Sequence, residues 1–184
     1  MVTIAAIAGS LRKGSYNAAL LRAAQAAAPH GVTIVNCPIA EIPLYNFDVE
    51  TEFGIPPAVT ALKDQIAAAD GLLIVTPEYN NSIPGVLKNA IDWASRPPAD
   101  IARVFSGRKV AVIGASPGGF GTVLSQNAWL PVLRTLRAEL WSEGRLLVSH
   151  VAGLTDASGE IVDPTTLDNL ALFVAGFAAH LRGD

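Results

Sequence analysis

The sequence is poor in the residues that build covalent or metal-held frameworks, with one cysteine and three histidines. A lone thiol, Cys37, cannot close an intramolecular disulfide, and its isolation suits a reducing compartment. His30, His150 and His180 are scattered, and no His/Cys/Asp cluster has the spacing of a metal site. Charge is also scarce. Charged residues make up 16% of the chain, the net charge is −3, and no basic run or stripe stands out. That excludes the electrostatic footprint of a nucleic-acid binder. No apolar run approaches the ~20 residues needed to cross a bilayer. The opening MVTIAAIAG has no basic leader and is cut by Gly9, so it is not read as a secretory signal. What is abundant is apolar: 51% of 184 residues. Such a composition rules out disorder, and the length suits one domain, 1–184, with a full core. A cytoplasmic globule that uses part of its apolar surface between subunits is the expectation.

Apolar runs alternate with helical periodicities along the whole chain. Strands are expected at Val2–Ala8, Val32–Cys37, Leu72–Thr76, Lys109–Ala115 and Leu146–His150. Helices are expected at Asn17–Ala28, Pro57–Ala69, Ile83–Trp93, Thr122–Leu140 (broken or bent near Pro131) and Thr165–Leu181. Pro84 falls early in its helix, where a missing N–H costs nothing. The alternation implies right-handed crossovers and a parallel sheet covered on both faces. Five units match a five-stranded doubly wound α/β order, 2-1-3-4-5. Two segments, Glu41–Pro56 and Arg96–Arg108, are longer than connection requires.

The first strand runs into Gly9-Ser10-Leu11-Arg12-Lys13-Gly14-Ser15-Tyr16-Asn17 and then into a helix. Backbone N–H groups and the positive end of a helix dipole suit a phosphate there, and Arg12 can add a charge-assisted bond. Ser15 or Asn17 could simply cap the helix. Capping accounts for one of them, not for Ser10, Arg12, Ser15 and Asn17 together. The glycine spacing resembles a Walker loop, but Ser15 and Tyr16 stand where Lys and Ser/Thr belong. The dinucleotide fingerprint G-x-G-x-x-G is absent too. A monophosphate such as that of FMN fits best.

The third strand leads into Pro77-Glu78-Tyr79-Asn80-Asn81-Ser82-Ile83-Pro84, and the fourth into Ser116-Pro117-Gly118-Gly119-Phe120-Gly121. In the proposed order, strands one, three and four are neighbours, so their loops share one edge. That edge is where open α/β sheets bind ligands. A flavin needs phosphate ligands, hydrogen bonds to its pyrimidine edge and one open face. Glycine backbone can approach the ring closely and stabilise its charge. Hydride chemistry belongs to the cofactor, so no catalytic side chain and no metal are demanded.

These motifs resemble the NAD(P)H-dependent FMN reductase family of the flavodoxin-like superfamily, which includes quinone, chromate and azo-dye reductases. The likeness runs through GSLRKGSYN, Ile42–Asn46, PEYNNSIPGVLKNAIDW and GASPGGFGT. It implies that Ser10, Arg12, Ser15 and Asn17 bind the FMN phosphate with Tyr16 beside them. It also implies that Pro77, Glu78, Tyr79 and Asn80 frame the isoalloxazine, mainly through backbone, and that Ser116, Gly118 and Gly119 line its pyrimidine side. NADPH or NADH would supply hydride to FMN, and a quinone, azo compound, metal oxyanion or free flavin would receive it. Homodimers, sometimes paired into homotetramers, are implied, with Leu44–Asp48 and the helix to Trp93 near the interface. Many members have glycine where this chain has Asn81, a residue that still tolerates left-handed backbone.

The remaining conspicuous residues are read structurally. The three histidines are structural or surface groups, Trp93, Trp129 and Trp141 are packing or subunit contacts, and Cys37 is a small buried residue. Tyr79, in a polar loop at a strand end, faces the ligand. The alternative to an enzyme is a flavodoxin-type electron carrier. Carriers of that kind are strongly acidic with a Ser/Thr-rich phosphate loop, whereas this chain has modest charge and Arg12.

Overall fold

The computed structural model describes residues 1–183. Strands β1 (Val2–Ala8), β3 (Gly71–Val75) and β4 (Lys109–Ala115) are apolar at consecutive positions, so both of their faces need cover. The helices supply it. Ile4, Ala6, Leu73, Val75, Ala111 and Ile113 pack under α1 (Tyr16–Ala26) and α7 (Pro164–Arg182). Ala5, Ile7, Leu72, Ile74, Val110 and Val112 pack under α3 (Pro57–Ala68), α4 (Gly85–Ala94) and α6 (Val123–Thr135). Alternate residues of one strand thus feed two separate cores.

With β2 (Val32–Asn36), the sheet runs β2-β1-β3-β4-β5 and every pairing is parallel, the order anticipated from sequence. The fifth position differs. It holds two short strands, β5 (Glu139–Leu140) and β6 (Leu146–Val148), which pair with the two ends of β4, so the sheet has six strands. The expected strand Leu146–His150 is therefore only a part of that position.

The expected helix Thr122–Leu140 is also shorter than its periodicity suggests. It runs through exposed Pro131 and ends at Thr135, and Glu139–Leu140 is strand. The stop is a Schellman turn: Ala138 N–H donates to Leu133 O and Arg137 N–H to Arg134 O, with Arg137 left-handed at φ 60°. An arginine occupies the position glycine usually marks, so the signal is invisible in sequence. Pro84, expected inside the first helical turn, stands instead as the N-cap of α4. The two long connections are partly helical. Glu41–Pro56 contains α2 (Phe47–Phe53), capped by Asn46, and Arg96–Arg108 contains a 3-10 turn (Pro98–Asp100) and α5 (Ile101–Val104).

Candidate functional site

Three backbone bonds set the loops side by side. Gly9 N–H donates to Val75 O at 2.9 Å, Thr76 N–H to Ile113 O at 2.8 Å, and Ser116 N–H to Val148 O at 2.9 Å. Each loop therefore leaves the sheet while still tied to the end of the next strand. Two glycines permit the approach. A Cβ on Gly9 would stand 2.5 Å from Leu87 Cδ2 and 2.9 Å from Pro77 Cδ. One on Gly114 would overlap the Thr76 carbonyl oxygen and Thr122 Oγ1.

In the first loop Ser15 is the N-cap of α1, buried, and its Oγ accepts from Ala18 N–H at 3.2 Å. The first turn of α1 holds no acidic residue. Ser10 Oγ accepts from Arg12 N–H at 3.3 Å and from the Tyr79 hydroxyl at 3.1 Å, which ties the first loop to the second. The exposed Arg12 guanidinium lies 5.0 Å from the centroid of the Tyr16 ring and makes no ion pair among the described residues. Asn17 does more than line the loop. Its Nδ2 donates to Ala115 O at 2.8 Å and its Oδ1 accepts from Ala115 N–H at 2.9 Å, which locks α1 to the end of β4. One amide hydrogen of Asn17 is left over.

The second loop is a two-residue hairpin. Tyr79 and Ser82 exchange both backbone bonds, at 3.2 and 3.1 Å, around Asn80 at φ 49° and Asn81 at φ 62°. Two left-handed central residues make the turn type that suits tight hairpins. Asn81 thus holds the geometry for which glycine is the usual choice. Glu78 has a role that sequence alone does not reveal. Its Oε2 accepts from Leu124 N–H at 2.8 Å and Ser125 N–H at 3.0 Å, so it caps α6 from another loop. Beneath it, Thr76 Oγ1 donates to Pro77 O and shares a 2.8 Å bond with Ser125 Oγ, and the fully buried Trp129 donates to Thr76 Oγ1 at 3.4 Å. In the third loop Ser116 Oγ bonds Gly121 O, and Val151 N–H returns to Ser116 O at 3.2 Å.

These loops enclose a cavity of about 320 Å³, within the range of small-ligand sites. Of the residues expected from sequence, Ser10, Arg12, Ser15, Tyr16, Asn17, Pro77, Glu78, Tyr79 and Ser116 line it. Asn80 sits at the exposed hairpin tip, and Gly118 and Gly119 lie on an exposed turn outside the lining. Ala115 and Pro117 complete the wall; they carry no polar side chain that could have flagged them. Arg12 and Glu78 are the two charged residues of the lining. A larger, more open groove of about 730 Å³ lies around Trp141 and α7, and none of the expected site residues is there. Among the described residues no group of three or more His, Cys, Asp or Glu could hold a metal ion.

The donor set fits a flavin mononucleotide. A guanidinium with no ion pair among the described residues and a helix whose first turn has no acidic residue suit a phosphate, while a proline, a tyrosine and close-packed backbone suit a planar ring. The strap Pro43–Phe53 is held on α4. Pro43 O accepts from Asn89 Nδ2 and Trp93 Nε1 at 2.8 and 2.9 Å, and Glu50 accepts from Tyr45 and Arg96, each at 2.8 Å. Arg96 holds the Glu50 carboxyl below its ordinary range. Trp93 is wholly buried, edge-on to Tyr45, and so belongs to the core.

A 2-1-3-4-5 parallel sheet with three loops gathered around one cavity at its carboxyl edge defines a flavodoxin-like α/β protein. The profile of the family described as NADPH-dependent FMN reductase matches residues 2–153, and the chain belongs to that family. It is 46% identical over 162 residues to an NAD(P)H-dependent FMN reductase of Pseudomonas aeruginosa, covering 88% of this chain and 85% of that one. It is 42% identical over 179 residues to a 2-hydroxy-1,4-benzoquinone reductase of a Burkholderia species, covering 97% and 96%. The structure of FerB, a flavoenzyme NAD(P)H:(acceptor) oxidoreductase from Paracoccus denitrificans, matches with a TM-score of 0.87 at 35% identity, covering 100% of this chain and 98% of that one.

Proposed function

We propose that this protein is an FMN-dependent NAD(P)H oxidoreductase that passes hydride through bound FMN to a quinone. Residues 1–184 act as one FMN-binding domain. The observation that carries the reading is the junction of the unpaired Arg12 at the α1 N-terminus with the Tyr79–Ser82 hairpin and Ser116 around one cavity. Arg12 and the hydroxyls of Ser10 and Ser15 hold the phosphate, with the remaining Asn17 amide hydrogen directed to it and Tyr16 stacked beneath the guanidinium. Pro77, Glu78, Tyr79 and Asn80 support the ring through their backbone. Ser116, Gly118 and Gly119 present backbone donors to its pyrimidine side. When bound, FMN supplies the hydride-accepting and hydride-donating chemistry. The side chains bind, orient and leave one face open.

Purified protein is expected to bind FMN with a 1:1 stoichiometry and, so loaded, to oxidise NADPH or NADH when a benzoquinone is added. No FMN binding would overturn the site. FMN binding without quinone-dependent turnover would point to an electron carrier.

The protein is proposed to act in the cytoplasm as a homodimer, with pairing to a homotetramer as the larger form. The support is the strap on α4, which exposes Leu44 (82%), Phe47 (58%) and Phe53 (73%) on a framework braced by Asn89, Trp93 and Arg96. Large apolar groups displayed together on a rigid element mark interaction surfaces. A Leu44→Asp/Phe53→Asp double variant is expected to elute at monomer size in size-exclusion chromatography with light scattering. An unchanged mass would place the subunit contact elsewhere.

A further inference from the structure

His150 belongs to none of the motifs that mark the cavity, yet it is built into the glycine loop. It follows β6 in left-handed backbone, φ 51°, unusual for a residue with a side chain. Its N–H donates to Gly118 O at 3.1 Å and its carbonyl accepts from Gly153 N–H at 3.0 Å. The side chain turns back on the same loop: a Cβ placed on Gly119 would stand 3.3 Å from His150 Nε2 and 3.5 Å from Cε1. The absence of a side chain at Gly119 therefore leaves the imidazole room beside the backbone of the turn. His150 is exposed, and among the described residues its imidazole has no hydrogen-bond or ion-pair partner. It is also the sole ionisable side chain in the loop 116–122 or in the segment 148–154.

We infer that His150 is a positioning residue for the flavin's pyrimidine edge, acting through Gly118 and Gly119. Two effects combine. The backbone bond to Gly118 O orients the Gly118–Gly119 peptide and so aims the donors of the turn. The imidazole contributes an N–H dipole on a loop otherwise devoid of ionisable side chains. Negative charge gathers on the ring when it accepts hydride, so this contribution favours the reduced cofactor over the oxidised one. The inference rests on the placement of the ring proposed above.

The test separates the side chain from the backbone. Asparagine and glycine both tolerate left-handed geometry, so His150→Asn and His150→Gly keep the turn and remove the imidazole. Dissociation constants for oxidised and reduced FMN, the latter measured anaerobically, are compared by fluorescence and calorimetry. Both variants are expected to bind oxidised FMN within about twofold of the parent and to lose about fivefold in relative affinity for reduced FMN, the scale of one net hydrogen-bonding contribution. A ratio equal to the parent's in both variants overturns the inference. Loss of both affinities in equal proportion also overturns it, since that reports a merely structural role. If the parent binds neither form, the flavin site itself fails, which is a distinguishable result.

Discussion

Replacing Arg12 by alanine is expected to raise the dissociation constant for FMN by about 10- to 100-fold, the size of one lost charge-assisted contact to a phosphate. Thermal stability without cofactor should stay within about 0.5 kcal/mol of the parent, as for an ordinary surface change. The contrast follows from the position of the residue. Arg12 is exposed, stacks on Tyr16 and forms no ion pair among the described residues, so the fold does not depend on its charge. The other cavity-lining charge, Glu78, is engaged in capping α6, and Arg12 is the cation of the lining. Riboflavin supplies the control. It lacks the phosphate, so its affinity should be nearly equal in the parent and in Arg12→Ala. Equal loss for FMN and riboflavin would mean that the substitution disturbs the loop and that Arg12 is not the phosphate ligand.

The largest effect on stability is expected from Gly114→Ala. The added methyl would overlap the backbone oxygen of Thr76 and the side chain of Thr122, neither of which is the loose end of a flexible chain. Thr76 is pinned by Pro77, Ser125 and Trp129, and Thr122 lies at the start of α6, fully buried. Relief therefore requires β3 and β4 to part at the cofactor edge. A loss of about 3 kcal/mol is expected, at the upper end for overpacking, with a fall in Tm of about 6–12 °C for a chain of this size. Urea denaturation without cofactor measures it. Gly85→Ala is the matched control. Its Cβ would meet nothing within 4 Å at the first position of α4, where alanine is the better helix former. A Gly114→Ala loss below about 1 kcal/mol would show that the strand ends yield, and that loop spacing is not set by this contact.

Much of the site could be read before the fold. Ser10, Arg12 and Ser15 line the cavity as expected, and they are legible because they lie within a few residues of one another before a helix. The consecutive apolar residues of β1, β3 and β4 require cover on both faces, which implies a parallel sheet between helices. The misses share a different cause. Glu78 reads as a loop residue because the N–H groups that donate to it, those of Leu124 and Ser125, are more than forty positions away. Asn17 reads as a helix cap or phosphate ligand, but most of its amide is engaged by Ala115, 98 positions away. His150 reads as an isolated surface histidine because the Gly119 beside it lies in another βα unit. The end of α6 at Arg137 is hidden because arginine carries no sign that its backbone is left-handed.

By itself, then, the sequence determined the layered architecture and the chemical character of three loops. Those properties depend on hydrophobic period and on turn and cap chemistry, which act over a few residues. Only the tertiary structure decided how the loops are fastened to one another: Tyr79 to Ser10, Glu78 to α6, Asn17 to β4 and His150 to Gly118. It also decided that the fifth strand position is split and that Gly9 and Gly114 are points of contact between loops. Hydrogen bonds and close packing between segments far apart in the chain exist only once the sheet has brought the strand ends together.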